Sequence, residues 1–231
     1  MSQRELLLSA ALRAVTYMDS VGARHVGGRS NRAALSAALG GPLPLTPTPD
    51  ERVIAELARA VDPGLVATTG PRYFGFVTGG ALPVTVAAEW LGSAWDQNGA
   101  LYVMAPAVAV MEDVVAAWVL ELLGLPATAT VGFVTGCHMA NVTCLAAARH
   151  EVLHRAGWDV ERDGLQRAPR ITVVVGDEVH VSTVGSLRML GFGTGELVRV
   201  PVDGQGRMIA GALSDALDAC QGPVIVCAQA G

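Results

Sequence analysis

The sequence predicts an α/β fold in which a helical N-terminal arm precedes a mostly parallel sheet. After residue 130, short runs of β-branched residues alternate with longer stretches that suit helices, and this alternation is typical of parallel sheets covered by helices. The 231 residues are 51% hydrophobic, so they can bury a sizeable core. The segment before residue 70 instead combines helical periodicity with a proline-rich linker, and has too few apolar residues for a core of its own.

The arm is predicted to contain two helices, over residues 3–19 and over residues 49–61. Glycines between residues 22 and 29 end the first helix, and four prolines between residues 42 and 49 form a linker. Thr48-Pro49-Asp50-Glu51 predicts a helix start with proline in the first turn and a capping box. We therefore expect an arm and linker over residues 1–70 and a second domain over residues 71–231.

Two features follow in the next fifty residues. Residues 73–81 mix aromatic residues with glycines, which suits either a binding loop or a plain connection between helices. Helices are predicted over residues 84–94 and 105–123. The second of these carries only three charged residues, so we expect it to be largely buried, between subunits or between layers of the fold.

The most informative stretch is VGFVTGCHMANVTCLAAAR, residues 131–149. Its start predicts a buried strand and a turn at Gly136, followed by a helix from Cys137 to His154 with Gly157 as the C-cap. The free N–H groups of Cys137, His138 and Met139 would then form an anion site suited to a phosphate. Strand-turn-helix units also occur in α/β sheets with no ligand, so these residues alone leave both readings open.

The remaining sequence predicts three strands, over residues 171–175, 197–200 and 224–227. Helices through residue 190 and over residues 212–219 connect them. Gly191-Phe192-Gly193-Thr194-Gly195 lies between a helix and a strand, the reverse of the order in a dinucleotide fingerprint. We interpret it as a connection.

His150-Glu151-Val152-Leu153-His154 matches the zinc-binding pattern HExxH. The longer form of that pattern requires a third histidine at position 160, where this chain has valine. We therefore expect no metal and interpret the two histidines as cationic side chains near a helix C-terminus.

Composition excludes several classes of partner. The net charge of −5 and the lack of a basic run argue against nucleic acid. The long uncharged stretch over residues 122–139 is interrupted by Gly, Pro and Thr and does not suit a membrane span. No N-terminal signal is visible, so we expect a cytoplasmic protein. The four cysteines lack CxxC spacing and are predicted to be reduced core thiols.

Several blocks in order carry a resemblance to a known family. They are Gly70-Pro71-Arg72-Tyr73-Phe74-Gly75-Phe76, Gly79-Gly80-Ala81-Leu82-Pro83, Ala94-Trp95-Asp96-Gln97-Asn98, the stretch 131–149, and Gly176-Asp177-Glu178-Val179-His180-Val181-Ser182. Together they resemble the pyridoxal-phosphate-dependent group II amino-acid decarboxylases, which include the aromatic-amino-acid and glutamate decarboxylases. The resemblance covers about the first half of a family chain. It implies the first part of a fold-type-I, aspartate aminotransferase-like large domain.

The resemblance also assigns roles to residues. His180 matches the histidine that stacks on the pyridoxal ring, and Cys137 and His138 lie at the phosphate-binding loop. Small or hydroxyl residues are usual at the latter two positions, so His138 either adds a cationic contact to the phosphate or crowds it. Phe76, Thr78 and Gly79 match substrate-contacting positions. The family further implies a second protomer, which the arm embraces, and a small amino-acid substrate.

All sixteen basic residues are Arg, and the chain contains no Lys. Family members hold pyridoxal 5'-phosphate as a Schiff base with a lysine, and arginine cannot replace it. In the family this lysine and the aspartate facing the pyridine nitrogen come later than the strand over residues 224–227. We expect a complementary C-terminal polypeptide to supply both. The alternatives are a non-catalytic fragment or dimerisation module of the same fold, and another pyridoxal reaction such as transamination or oxidative deamination.

Overall fold

The computed structural model describes residues 1–229, so the predicted domain end at Gly231 lies outside the described residues. Its contacts divide the chain into two compact units, Met1–Gln97 and Asn98–Gly231. The first unit is helical. It contains α1 (Gln3–Ser20), α2 (Arg32–Leu39), α3 (Asp50–Val61), a 3₁₀ turn (Asp62–Gly64) and α4 (Pro83–Trp95).

The helices α1, α3 and α4 begin within one residue of the predicted positions, but the capping box lies at a different helix. The capping box lies at α1, where Glu5 N–H donates to Ser2 Oγ and the Glu5 carboxylate accepts from Ser2 N–H at 2.7 Å. These bonds lower the pKa of Glu5. The capping box predicted for α3 was wrong, because the helix begins at Asp50 and the N-cap position falls on Pro49, which has no side-chain acceptor.

The second unit contains five helices and three strands among the described residues. They are α5 (Pro106–Leu123), α6 (Cys137–Arg155), α7 (Val160–Asp163), β1 (Thr172–Gly176), α8 (Val181–Met189), β2 (Val198–Val200), α9 (Ala210–Asp218) and β3 (Val224–Cys227). The strands form one parallel sheet in the order β2-β1-β3. This confirms the predicted α/β class and its parallel sheet.

The core of the second unit lies between the sheet and helices α6 and α8. Val173 and Val175 of β1 point to one face and pack with Leu145 of α6, Leu187 of α8 and Ile225 of β3. Val174 points to the other face of the same strand and is also fully buried. A central strand buried on both faces fits the continuous apolar run that predicted it.

Two expectations for the second unit were wrong, one for residues 131–134 and one for two of the cysteines. Residues 131–134 form no strand, because in the described chain they pair with no neighbouring strand. No residue of α5 is buried within the single chain, and its burial between subunits stays a prediction. Cys137 and Cys144 are exposed, although all four cysteines are free as predicted. Partial burial raises the pKa of the Cys227 thiol.

Among residues 1–229, every helix is too short or too polar to cross a membrane.

Candidate functional site

The N-terminus of α6 offers unpaired hydrogen-bond donors. Gly136 occupies the N-cap position with φ 155°, and it provides no side chain to cap the helix. Within the described chain, the N–H groups of Cys137, His138 and Met139 consequently have no acceptor. A side-chain carbon added at Gly136 would meet open space, so the backbone there is accessible. An anion of phosphate size can accept from these three groups.

The loop at the carboxyl end of β1 carries His180. This loop is held by backbone bonds, because Asp177 N–H donates to Val200 O at 3.0 Å and Val179 N–H donates to Gly176 O at 3.0 Å. The Arg199 guanidinium adds a bond to Asp177 O at 3.2 Å. Ligand-binding side chains of α/β sheets lie at such strand ends.

His180 is the N-cap residue of α8. Its Nδ1 accepts from Ser182 N–H at 3.2 Å and lies 2.8 Å from Ser182 Oγ. The side chain is otherwise exposed. A histidine that caps a helix in this way has its ring orientation fixed by the helix backbone.

Hydrogen bonds connect His180 to the N-terminus of α6. Ser186 Oγ donates to Ser182 O at 2.8 Å and lies 3.3 Å from His138 O, while Asn141 Nδ2 donates to Ser182 Oγ at 3.2 Å. Ser186 is fully buried. The structure thus brings the predicted residues Cys137, His138 and His180 into one region of the second unit.

The His138 ring lies against α8. A side-chain carbon built on Gly185 would be 3.1 Å from His138 Cε1 and 3.6 Å from Nε2, so the bare glycine makes room for the imidazole. The sequence left two roles open for His138, a cationic contact to the phosphate or crowding of it. Because the ring lies against α8, it need not crowd the phosphate loop.

The predicted substrate residues Phe76, Thr78 and Gly79 lie in the first unit, in the segment that precedes α4. All three are exposed, and Phe76 and Val77 have positive φ values of 55° and 48°. Positive φ is rare for a β-branched or bulky residue and marks a strained backbone. The segment is anchored at its start, because Arg72 Nη2 donates to Gly22 O and to Arg24 O, at 3.2 Å and 2.5 Å.

The HExxH residues are engaged in other contacts. His150 Nδ1 lies 2.7 Å from Glu161 Oε2, and its ring stacks on the His154 ring with centroids 6.0 Å apart. Glu151 pairs with Arg155 at 2.6 Å. Within residues 1–229, no three His, Cys, Asp or Glu side chains are grouped so that they could hold a metal ion.

Four residues of the region were missed from sequence. Ser182 was quoted in the motif but received no role, and Asn141, Gly185 and Ser186 were not singled out. Their function depends on contacts between α6 and α8, which are about forty residues apart in the chain. Periodicity and local motifs cannot report such pairs.

Comparison with known proteins identifies relatives. A family model described as "Pyridoxal-dependent decarboxylase conserved domain" matches residues 36–231. Tryptophan decarboxylase 1 of Oryza sativa is 25% identical over 206 residues, covering 81% of this chain and 39% of that protein. An acidic amino acid decarboxylase of Xenopus tropicalis is 26% identical over 161 residues, covering 70% and 30%.

A solved structure shares the fold. The crystal structure of Oryza sativa TDC with PLP and tryptamine has a TM-score of 0.81 and 24% sequence identity, and the match covers 94% of this chain and 45% of that chain. The chain therefore spans less than half the length of these relatives.

Proposed function

The chain belongs to the pyridoxal-dependent decarboxylase family, and we propose that it forms part of the active site of an enzyme that converts an L-amino acid to an amine and CO₂. Pyridoxal phosphate is the cofactor of the family. When bound, it supplies an electron sink for the carbon that loses CO₂. The observation that carries the proposal is the hydrogen-bonded region that joins the α6 N-terminus to His180.

The residues present fit the phosphate and ring ends of this cofactor. In our proposal, the N–H groups of Cys137 and His138 bind the phosphate, since a helix N-terminus without a cap attracts negative charge. His180 would hold the ring by stacking on its face and would exclude water from that face. Phe76, Thr78 and Gly79 select the substrate side chain. One relative is named a tryptophan decarboxylase and another an acidic amino acid decarboxylase. A panel of amino acids is therefore needed to identify the substrate.

The missing lysine is proposed to come from a second polypeptide, together with an aspartate that faces the pyridine nitrogen. The chain has no Lys at all, so none of its side chains can attach the cofactor covalently. The exposed apolar surface of α5 supports a further partner surface, because such surface is rarely left in water. We also propose a cytoplasmic dimer, as the resemblance implies.

One observation favours a second candidate function. The same absence of Lys is expected in a non-catalytic module that keeps the fold for association. In that case the region around His180 would be only structural, and the purified protein would bind no cofactor. Another pyridoxal reaction, such as transamination or oxidative deamination, would give the same spectrum as decarboxylation but different products.

The first experiment is intact-mass spectrometry of the purified protein after borohydride reduction and denaturation. We expect the 23.8 kDa chain without adduct, together with a second species that carries a reduced pyridoxyl group. Detection of the 23.8 kDa chain alone, with no yellow absorbance before reduction, would favour the non-catalytic module. Amine and CO₂ release from a panel of aromatic and acidic amino acids then separates decarboxylation from the other pyridoxal reactions.

A further inference from the structure

We infer that Asn141 and Ser182 form a directed hydrogen-bond relay that fixes the His180 ring in the tautomer with its proton on Nε2. The inference rests on the proposed function, since it specifies how His180 would meet a substrate. It makes Asn141 and Ser182 positioning residues, because both act through His180.

Nδ1 of His180 accepts a hydrogen bond from the backbone N–H of Ser182 at 3.2 Å. A backbone amide nitrogen can only donate, so Nδ1 carries no hydrogen in this arrangement. In a neutral imidazole the proton must then lie on Nε2.

The Ser182 hydroxyl oxygen lies 2.8 Å from Nδ1 of His180. A serine hydroxyl has one hydrogen to donate, and Nδ1 can only accept. The hydroxyl therefore donates to His180, and it shares the single lone pair of Nδ1 with the Ser182 N–H. Its lone pairs remain free to accept from Asn141 Nδ2, 3.2 Å away. Every bond then runs in one direction, from Asn141 through Ser182 to His180.

The relay connects helices α6 and α8. Asn141 lies one turn into α6, the helix whose N-terminus provides the free N–H groups, and Ser182 lies in the first turn of α8. Both side chains are partly buried, whereas the His180 ring is exposed. The relay consequently couples the exposed ring to the helix with free N–H groups, and its bond from Asn141 to Ser182 is partly buried.

The tautomer determines which ligand group His180 can meet. Within the described residues, Nε2–H has no acceptor, so the ring presents a donor on its exposed side. A carboxylate oxygen accepts from such a donor, whereas the opposite tautomer would present a lone pair that repels it. We assign the exposed Nε2–H to the substrate carboxylate.

The test is ¹⁵N solid-state NMR of the purified protein, labelled at histidine and kept with any chain that accompanies it. At pH 8.5 a free imidazole is neutral, and the shifts of Nδ1 and Nε2 then report the tautomer. We expect unprotonated Nδ1 in His180, assigned by its loss in His180→Gln. Ser182→Ala should increase the Nδ1-protonated form and lower kcat/KM about tenfold, the effect of one lost hydrogen bond.

Matched variants separate the relay from general disturbance of α8. Ser182→Thr retains the hydroxyl and should restore the tautomer and most of the activity. Thr183→Ala removes a neighbouring hydroxyl of the same helix and should change neither. Asn141→Leu should shift the tautomer in the same direction as Ser182→Ala, by a smaller amount, and it provides the test if Ser182→Ala fails to fold.

The outcomes for the relay and for the proposed function are distinct. A protonated Nδ1 in the unsubstituted protein would overturn the relay, as would an unchanged tautomer in both Ser182→Ala and Asn141→Leu. An unprotonated Nδ1 that responds to these substitutions would support it, even in a protein that releases no amine. In that last case the relay stands and the decarboxylase proposal fails.

Discussion

The His138 imidazole lies over the bare Cα of Gly185, so that a side-chain carbon added there would be 3.1 Å from His138 Cε1. This contact joins the first turn of α6 to the middle of α8. An added carbon would be closer to the ring than ordinary van der Waals contact allows, and glycine is therefore the residue that lets the ring remain where it is.

Gly185→Ala tests that contact. Alanine favours the helix by about 0.5–1 kcal/mol, but the ring must shift by a few tenths of an ångström, which offsets the gain. We expect little change in melting temperature and weaker cofactor binding, about threefold, as roughly 0.6 kcal/mol would produce. Thermal unfolding and pyridoxal-phosphate titration measure both.

Gly211→Ala in α9 is the matched control, since an added carbon there meets nothing within 4 Å. It should show the stabilisation without the loss of binding. In a His138→Ala background, Gly185→Ala should behave like Gly211→Ala. Equal effects of Gly185→Ala with and without the imidazole would contradict the contact.

Gly136→Ala is expected to disturb the anion-binding turn. With φ 155° and ψ 176°, Gly136 adopts a conformation that side chains rarely accept, at a cost of about 1–3 kcal/mol. We predict at least a tenfold loss of pyridoxal-phosphate affinity, measured by fluorescence titration. Gly132→Ala is the control in the same segment, because Gly132 has ordinary φ and open space. Equal losses in the two variants would refute a special role for Gly136.

The sequence predicted much of the fold because its signals are local. The periodicity of α1 and α3, the apolar run of β1 and the motif before α8 each depend on neighbouring residues. Residues 131–134 failed as a strand because strand pairing depends on a distant partner, not on β-branched residues alone. Likewise, the apolar composition of α5 indicates a need for burial but cannot say which chain provides it.

Two helices were not predicted, α2 and the four-residue α7, and for α2 a local signal existed. Asn31 caps α2 by accepting from Ala34 N–H at 2.9 Å, and the helix itself is rich in alanine and leucine. The break was predicted over residues 22–29 and the linker at the prolines of residues 42–49, and residues 32–39 between them received no prediction. In the candidate site, a sequence motif predicted the role of His180. The roles of Ser182 and Asn141 arise only when α6 and α8 pack together.

Arg72→Gln should loosen the segment that carries Phe76, Thr78 and Gly79. The guanidinium donates to two carbonyls of the turn after α1, and because both bonds are exposed each contributes about 0.5–1 kcal/mol. We expect faster hydrogen exchange in residues 22–24 and 72–80 and a KM raised several-fold with kcat less affected. Arg4→Gln, at an exposed position of α1, is the control. Unchanged exchange in Arg72→Gln would contradict the anchoring role.

Arg207→Gln should raise the pKa of Asp203 towards its ordinary value. The Arg207 side chain is the largest cause of the lowered pKa, and the N–H groups of Gln205 and Arg207 add to it. Because the folded pKa lies below the unfolded one, the stabilisation is complete above the unfolded pKa and is lost as pH falls through the folded pKa.

Carboxyl ¹³C NMR titration of Asp203 measures this change directly. Melting temperatures of the two proteins should differ at neutral pH and converge in acid, below both pKa values. Arg170→Gln is the control, since Arg170 pairs with Glu196 instead. A pKa of Asp203 that stays equally low without Arg207 would leave the backbone N–H groups as its main cause.

Trp118→Glu tests whether the apolar surface of α5 is covered in the assembled protein. Trp118 is 60% exposed in the single chain, in a helix with no buried residue and three acidic ones. At a solvated position such a change alters stability by at most about 0.5 kcal/mol, whereas a buried unpaired charge costs several kcal/mol. We therefore expect dissociation, seen as a lower mass in light scattering after size exclusion. Glu121→Gln on the same helix should leave the mass unchanged. If Trp118→Glu also leaves the mass unchanged, α5 faces water and another surface must hold the partner.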